Sequence, residues 1–178
     1  VVQNHTYVTG GNSEWEHFRT PGTLGKERTQ CNCESCNNHN MLKLAERLFL
    51  LTGDKQYMDY YERAVYNHIL STLNPIQGGF VYFTPMRAGH YRVYSQPQTS
   101  FWCCVGSGME NHARYGEMIY SHKGDQELFV NLFIPSVLTW GDTKVEQINN
   151  FPAEESTSFM ISPEKSRKFT LAVRIPEW

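Results

Sequence analysis

An α+β fold, helices first and strands after, is predicted by one change of hydrophobic rhythm and one short link. Up to about residue 120 the apolar residues recur every three or four positions, and from Glu127 onward they alternate. Between the first two helical stripes only Thr52-Gly53-Asp54 intervenes, which makes them an antiparallel hairpin. The change of period puts a boundary near residue 125. Residues 1–125 are then helical around a β insert, and residues 126–178 are β-rich, with the alternation of a β-sandwich that is only begun.

Each element has its own signal. Residues 1–34 are rich in Gly, Thr and Asn without a sustained period, and read as a long loop carrying Trp15, Glu16, His17 and Phe18; loops of that length in compact domains are usually functional. Ser35 is an N-cap for a helix through Met41, Leu44, Ala45 and Leu48, which Gly53 closes. Asp54 caps a second, through Tyr57, Met58, Tyr61, Ala64, Val65, His68 and Ile69, that ends at Asn74-Pro75. Gly78-Gly79 open an extended insert, Phe80 to Thr84 and Tyr91 to Tyr94. A third helical pattern runs from Cys103 past Met109 and Ala113 to Met118, Ile119 and Tyr120. Strands follow at Leu128-Val130-Leu132, Val137-Leu138, Val145 to Ile148, Phe159-Ile161 and Leu171-Val173-Ile175.

With 178 residues, 40% of them hydrophobic, and a net charge of −2, the chain can build a core and carries no basic surplus, so nucleic acid is not an expected partner. No apolar run approaches the ~18 residues of a membrane span, so no membrane spanning is expected. Val1-Val2-Gln3-Asn4-His5 is not a signal peptide; any targeting segment would precede residue 1, which leaves periplasm and cytoplasm equally open. Both ends read as cut. The expectation is a piece of a larger polypeptide, whose remainder is a partner.

The five cysteines fall in two groups, Cys31, Cys33 and Cys36 around Glu34, and the adjacent pair Cys103-Cys104. Zinc takes thiolate sulfur and carboxylate oxygen in a tetrahedral shell, so Glu34 and Cys36 with the two vicinal thiols make a ligand set, and Cys31 and Cys33 are left over. The second group lacks the spacer of a C-x-x-C knuckle. Buried apolar thiols and disulfides are the alternatives, although an odd total does not complete a disulfide framework. Both groups sit at predicted helix starts, where the partial positive charge favours thiolate and carboxylate.

Tyr7-Val8-Thr9-Gly10-Gly11-Asn12-Ser13, Glu16-His17-Phe18, Glu34-Ser35-Cys36-Asn37, Asn40 to Leu44, Tyr82-Phe83-Thr84-Pro85 and Trp102-Cys103-Cys104, in that order, resemble the zinc-dependent β-L-arabinofuranosidases of glycoside hydrolase families 127 and 146. The resemblance implies the later part of an (α/α)6 barrel followed by the start of a β-sandwich module. It implies zinc held by Glu34, Cys36, Cys103 and Cys104, Cys103 as nucleophile, Glu16 as general acid/base and Tyr82 as a substrate contact. The family also holds its sugar with histidines from earlier barrel helices, which this chain does not contain. Cys31 and Cys33 take no role from it, and Cys33 in place of Cys36 or Glu34 is an alternative ligand.

The implied reaction is retaining hydrolysis that releases L-arabinofuranose from a plant-derived arabinose-containing oligosaccharide or glycan. A thiolate stands where such enzymes usually carry a second carboxylate. Glu16 has to carry a proton when the reaction begins, and Trp15 and Phe18 are apolar neighbours suited to that. Glu16 also reads as a surface carboxylate beside Glu14, and Glu34 as an acid favoured at a helix N-terminus. His17, His39 and His112 are left outside the ligand set, and a Cys104/His112 peptidase lacks an orienting partner. A second class of function is a structural zinc-binding module, or an inactive fragment of such an enzyme. Glu16, which has no metal role, separates the two.

Overall fold

In the computed structural model, which describes residues 1–178, the apolar stripe that begins after Ser35 becomes the buried face of a helix. The helices are α1 (Val2–His5), α2 (Ser35–Thr52), α3 (Gln56–Asn67) and α4 (Cys103–Ala113). The strands are β1 (Tyr120–Lys123), β2 (Glu127–Val130), β3 (Ser136–Trp140), β4 (Thr143–Asn149), β5 (Thr157–Pro163) and β6 (Thr170–Val173). The class is α+β. The chain divides into two compact units, Val1–Arg114 and Tyr115–Trp178.

In the first unit, α2 buries Ser35, Asn38, His39, Leu42, Ala45 and Phe49 along one side. Gly53 ends it in the left-handed region (φ 70), its N–H on the Phe49 carbonyl at 2.7 Å. After the short link, α3 packs back with Met58, Tyr60, Tyr61, Ala64 and Val65 buried. The second helical pattern does not continue unbroken to Asn74. It tightens after Asn67 into a 3₁₀ turn at Ile69–Thr72, where the Ser71 and Thr72 hydroxyls donate to the carbonyls of His68 and Ile69 at 2.7 Å and compete with the helical ladder.

The long loop is seated by close backbone approach. A Cβ at Gly10 (φ 89) would lie 2.7 Å from the Cα of Ala64 on α3, and one at Gly11 would lie 2.6 Å from Cys33 Sγ. Only glycine fits that surface. Buried amides complete the seat: the Asn38 side chain donates to the Gly10 carbonyl at 3.0 Å, and Asn32 donates to Tyr7 Oη, the Ser13 carbonyl and the Glu27 carbonyl.

The insert forms no ladder strands; it is tied by single bridges, Leu73 to Phe80, Glu34 to Phe83 and Val81 to Tyr94. α4 stops at Ala113, short of Tyr120. Met118, Ile119 and Tyr120 continue a helical spacing, but Tyr120 opposes Val130 in β1, so strand pairing overrides the local pattern there.

The second unit holds two three-stranded sheets. One is ordered β1-β2-β6, with β1 antiparallel and β6 parallel to β2; the other, β3-β4-β5, is antiparallel throughout. Leu128, Trp140 and Val145 form a buried core with Tyr120, Leu138, Ile161, Phe169 and Leu171 packed against it, drawing side chains from both sheets. The Arg167 guanidinium lies 4.6 Å over the Trp140 ring and bonds Asp142 at 3.0 Å, closing the end of that core.

Candidate active site

Three extended segments of the first unit lie side by side, with residues 31–35 in the middle. On one flank Trp15 N–H bonds the Cys31 carbonyl (2.9 Å) and Cys33 N–H the Ser13 carbonyl (3.2 Å). On the other flank Thr84 N–H bonds the Asn32 carbonyl (2.8 Å) and Ser35 N–H the Tyr82 carbonyl (3.0 Å). This arrangement places Glu34 at the N-cap of α2, Cys36 in the first turn, and Tyr82 on the adjoining segment.

Cys103 and Cys104 open α4, with Trp102 as N-cap. α4 is fastened along α2 by His39, whose Nδ1 meets Asn111 Oδ1 at 2.7 Å and whose Nε2 meets Glu110 at 3.2 Å, and by Arg114 on Glu46 at 2.9 Å. The clamp aligns the two helix N-termini. Their free N–H groups and dipoles then point toward one spot, where negative charge is favoured.

At that spot one donor atom from each of Glu34, Cys36, Cys103 and Cys104 lies within 4.8 Å of the others. Cys103 Sγ is 3.8 Å from Cys104 Sγ and 3.9 Å from Glu34 Oε1, and Cys104 Sγ is 3.8 Å from the same oxygen. Tetrahedral zinc with Zn–S bonds of about 2.3 Å holds its sulfurs about 3.8 Å apart. The group could hold a metal ion, and its three sulfurs and one oxygen are compatible with zinc. Cys104 is buried, Cys36 partly so, and Cys103 is exposed. Ser107, one turn along α4, sets its Oγ 3.1 Å from Cys36 Sγ.

Proton affinities follow from the crowding. Glu34 is raised above the usual carboxylate range by burial and then by the charge of Glu16. Cys36 is raised by its hydrogen bond with Cys104 and by burial, and Cys103 by burial and then by Cys36. Glu34, Cys36 and Cys103 thus resist ionising in this crowded spot, and a divalent cation would reverse that sign.

Glu16 reaches the cluster through a tyrosine. It stands at the tip of a hairpin whose base is the reciprocal pair of hydrogen bonds between Glu14 and His17, both 3.0 Å. The Tyr82 hydroxyl donates to Glu16 Oε1 and lies 3.9 Å from Cys103 Sγ. That bond to Glu16, with burial second, holds the Tyr82 phenol protonated well above its ordinary range. Trp15 meets Phe83 edge-on at 5.9 Å, and Tyr82 packs on Phe83 and Trp102 at 4.5 and 5.5 Å; Phe18 instead lies against His5.

The remaining thiols stand apart. Cys33, in the left-handed region (φ 50), turns into the core with no exposure, and burial pushes its thiol up to about 12; it is outside the four-donor group. Cys31, partly buried, is raised by burial and by Glu14. His39 is committed to the α2–α4 clamp, and His112 stacks on Phe80 at 5.9 Å. The sequence pattern does not single out Ser107; its one signal is a place four residues after Cys103, on the same helix face.

The family model for the β-L-arabinofuranosidase GH127 catalytic domain matches residues 1–117, and that for the GH127 β-L-arabinofuranosidase middle domain matches residues 127–178. The chain belongs to the GH127 β-L-arabinofuranosidase family. Among solved structures it is similar to a GH127 β-L-arabinofuranosidase from Geobacillus stearothermophilus T6, at 26% identity and a TM-score of 0.80, over 100% of this chain and 30% of that one. It is also similar to a GH127 β-arabinofuranosidase at 27% identity and a TM-score of 0.78, over 99% of this chain and 28% of that one. The GH127 chain thus spans under a third of the length of each of these two structures. No curated protein matches it in sequence.

Proposed function

We propose that this GH127 chain is the later part of the (α/α)6-barrel catalytic domain (residues 1–125) and the start of a β-sandwich module (126–178) of a retaining glycoside hydrolase. The proposed reaction releases L-arabinofuranose from β-L-arabinofuranosides of plant-derived oligosaccharides or glycans. The observation that carries it is the single hydroxyl of Tyr82 set between the Glu16 carboxyl and the Cys103 thiol. A gap spanned by one hydroxyl suits the short separation of about 5 Å between nucleophile and acid/base that double displacement uses.

Glu34, Cys36, Cys103 and Cys104 would hold zinc. Zinc, when bound, supplies the positive charge that keeps these sulfurs ionised at neutral pH. Cys103, the exposed member, attacks the anomeric carbon; the bond from that carbon to the leaving oxygen breaks, and Glu16 delivers its proton to that oxygen. Water then attacks the same carbon, Glu16 takes the water's proton, and the carbon–sulfur bond breaks to return the Cys103 thiolate. Tyr82, donating to Glu16, orients the carboxyl and lines the sugar's side of the site.

In the parent polypeptide, Glu16→Gln is expected to lower turnover of an unactivated β-L-arabinofuranoside by ~10²–10⁴-fold, the usual span of general acid/base catalysis. Its metal content should stay at that of the unsubstituted protein. Intact-mass analysis after incubation with a slow aryl β-L-arabinofuranoside should find one pentosyl adduct, mapped to Cys103. An adduct on another residue, or full turnover by the Gln variant, would refute the assignment.

A further inference from the structure

The hairpin that carries Glu16 is made from the wrong residues for its shape. Its two central positions, Trp15 (φ 45) and Glu16 (φ 66), both lie in the left-handed region. Two-residue turns of this kind are ordinarily Asn-Gly, because a Cβ makes the left-handed region unfavourable. Such a conformation persists only where the surroundings over-determine it.

The surroundings here are specific. The backbone of Glu14 is bonded on both sides, to His17 and, through Trp15 N–H, to the Cys31 carbonyl. Its side chain, only 8% exposed, turns inward beneath the turn. Glu14 Oε2 accepts from Arg19 Nε at 2.8 Å and from Arg19 Nη2 at 2.7 Å, while Oε1 accepts from the Thr29 hydroxyl at 3.3 Å. A carboxylate so buried is tolerated only when paired, so the pair joins the hairpin's first strand to the chain just beyond its second. Thr29 ties the same carboxylate to the segment that leads into Cys31 and Glu34.

We propose that Glu14 and Arg19 are positioning residues: the ion pair between the buried Glu14 carboxylate and the exposed Arg19 guanidinium holds the Trp15-Glu16 turn in its left-handed form and thereby fixes the Glu16 carboxyl on the Tyr82 hydroxyl, beside Cys103. The inference rests on Glu16 being the acid of the proposed reaction. It adds two residues, neither touching the sugar, to what sets the acid's reach. An error of about 1 Å in such placement costs on the order of 10²-fold.

The test uses the parent polypeptide and two β-L-arabinofuranosides, one with a dinitrophenyl leaving group that departs without a proton and one with an alkyl leaving group that needs it. Arg19→Leu is expected to lower kcat/KM for the alkyl glycoside by ~10–10²-fold. It should leave the dinitrophenyl glycoside within about 3-fold, zinc content unchanged, and repeat in milder form the pattern of Glu16→Gln. Arg19→Lys should restore part of the loss. Where the lone charge left on Glu14 prevents folding, the neutral double variant Glu14→Gln/Arg19→Leu carries the same expectation. Equal losses on both substrates, or none, beside a leaving-group-dependent Glu16→Gln would overturn the positioning role alone. A Glu16→Gln variant indifferent to leaving group would overturn this inference together with the acid assignment.

Discussion

Cys33 and Cys36 stand three positions apart and have opposite fates. Cys33 lies with a left-handed backbone in the core against Gly11, while Cys36, in the first turn of α2, faces Ser107 and the other three donors. The Ser107 hydroxyl is the sort of outer partner that fixes a ligand's direction, and losing such a partner typically weakens metal affinity 10–100-fold. Ser107→Ala is therefore expected to release zinc to a competing chelator at ~10-fold lower chelator activity, measured by equilibrium competition on the folded protein. His68 provides a second residue-scale prediction. It is fully buried with no partner on either ring nitrogen, and burial, followed by the Arg92 charge, lowers it from 6.5 to about 4. Between those values the unfolded chain holds a proton that the folded chain refuses, so stability is intact above pH 6.5 and lost as pH falls toward 4. Replacing His68 by Gln should flatten the pH dependence of the urea midpoint across that window by up to one proton. An unchanged slope would show that other groups set it.

At the scale of elements, two glycines with the same backbone sign separate strain from crowding. Gly53 (φ 70) ends α2 with nothing near a would-be Cβ, whereas Gly10 (φ 89) lies on the backbone of α3 at Ala64. Gly53→Ala is expected to cost about 1 kcal/mol, the left-handed penalty alone. Gly10→Ala adds overpacking against main chain and should cost about 2–4 kcal/mol in urea unfolding. Comparable losses would mean that the long loop is not seated on α3 as described. The clamp of His39, Asn111 and Glu110 acts at this scale too, because it sets the register of α2 against α4 and so the meeting of two pairs of donor atoms from distant parts of the chain.

At the scale of the molecule, a metal joining Glu34 and Cys36 to Cys103 and Cys104 closes a long stretch of chain that includes α3 and the insert. An ion that binds the folded form alone stabilises it by about 2.7 kcal/mol at a free concentration 100 times its Kd. Removing zinc with a chelator should lower the unfolding temperature reversibly, and Cys104→Ala should abolish the difference between the metal-loaded and metal-free proteins. A melting temperature indifferent to zinc would remove the ion from the folding balance.

Much of the fold was legible because burial is periodic. The stripe of α2 and the alternation from Leu128 to Val173 appear where they were expected, since each element hides one face and writes that face at its own spacing. Tyr120 misled because three apolar residues at helical spacing were claimed by pairing with Val130, which no local pattern encodes. The insert misled in another way: its extended residues make single bridges to separate segments instead of a ladder. At the site, the residue types and the two helix starts were visible in one dimension, but Ser107, the Glu14–Arg19 pair and the inward turn of Cys33 depend on neighbours far away in the chain.

The sequence by itself determined the order of helices and strands and the supply of five thiols and 18 acidic side chains, because helical and strand periods and residue chemistry are local properties. Only the tertiary structure decided which three sulfurs and which carboxylate share a point, and that Glu16 faces them across Tyr82. Those facts hang on helix packing, buried hydrogen bonds and a left-handed turn. Each is a balance among segments distant in sequence, so no single stretch of residues can record it.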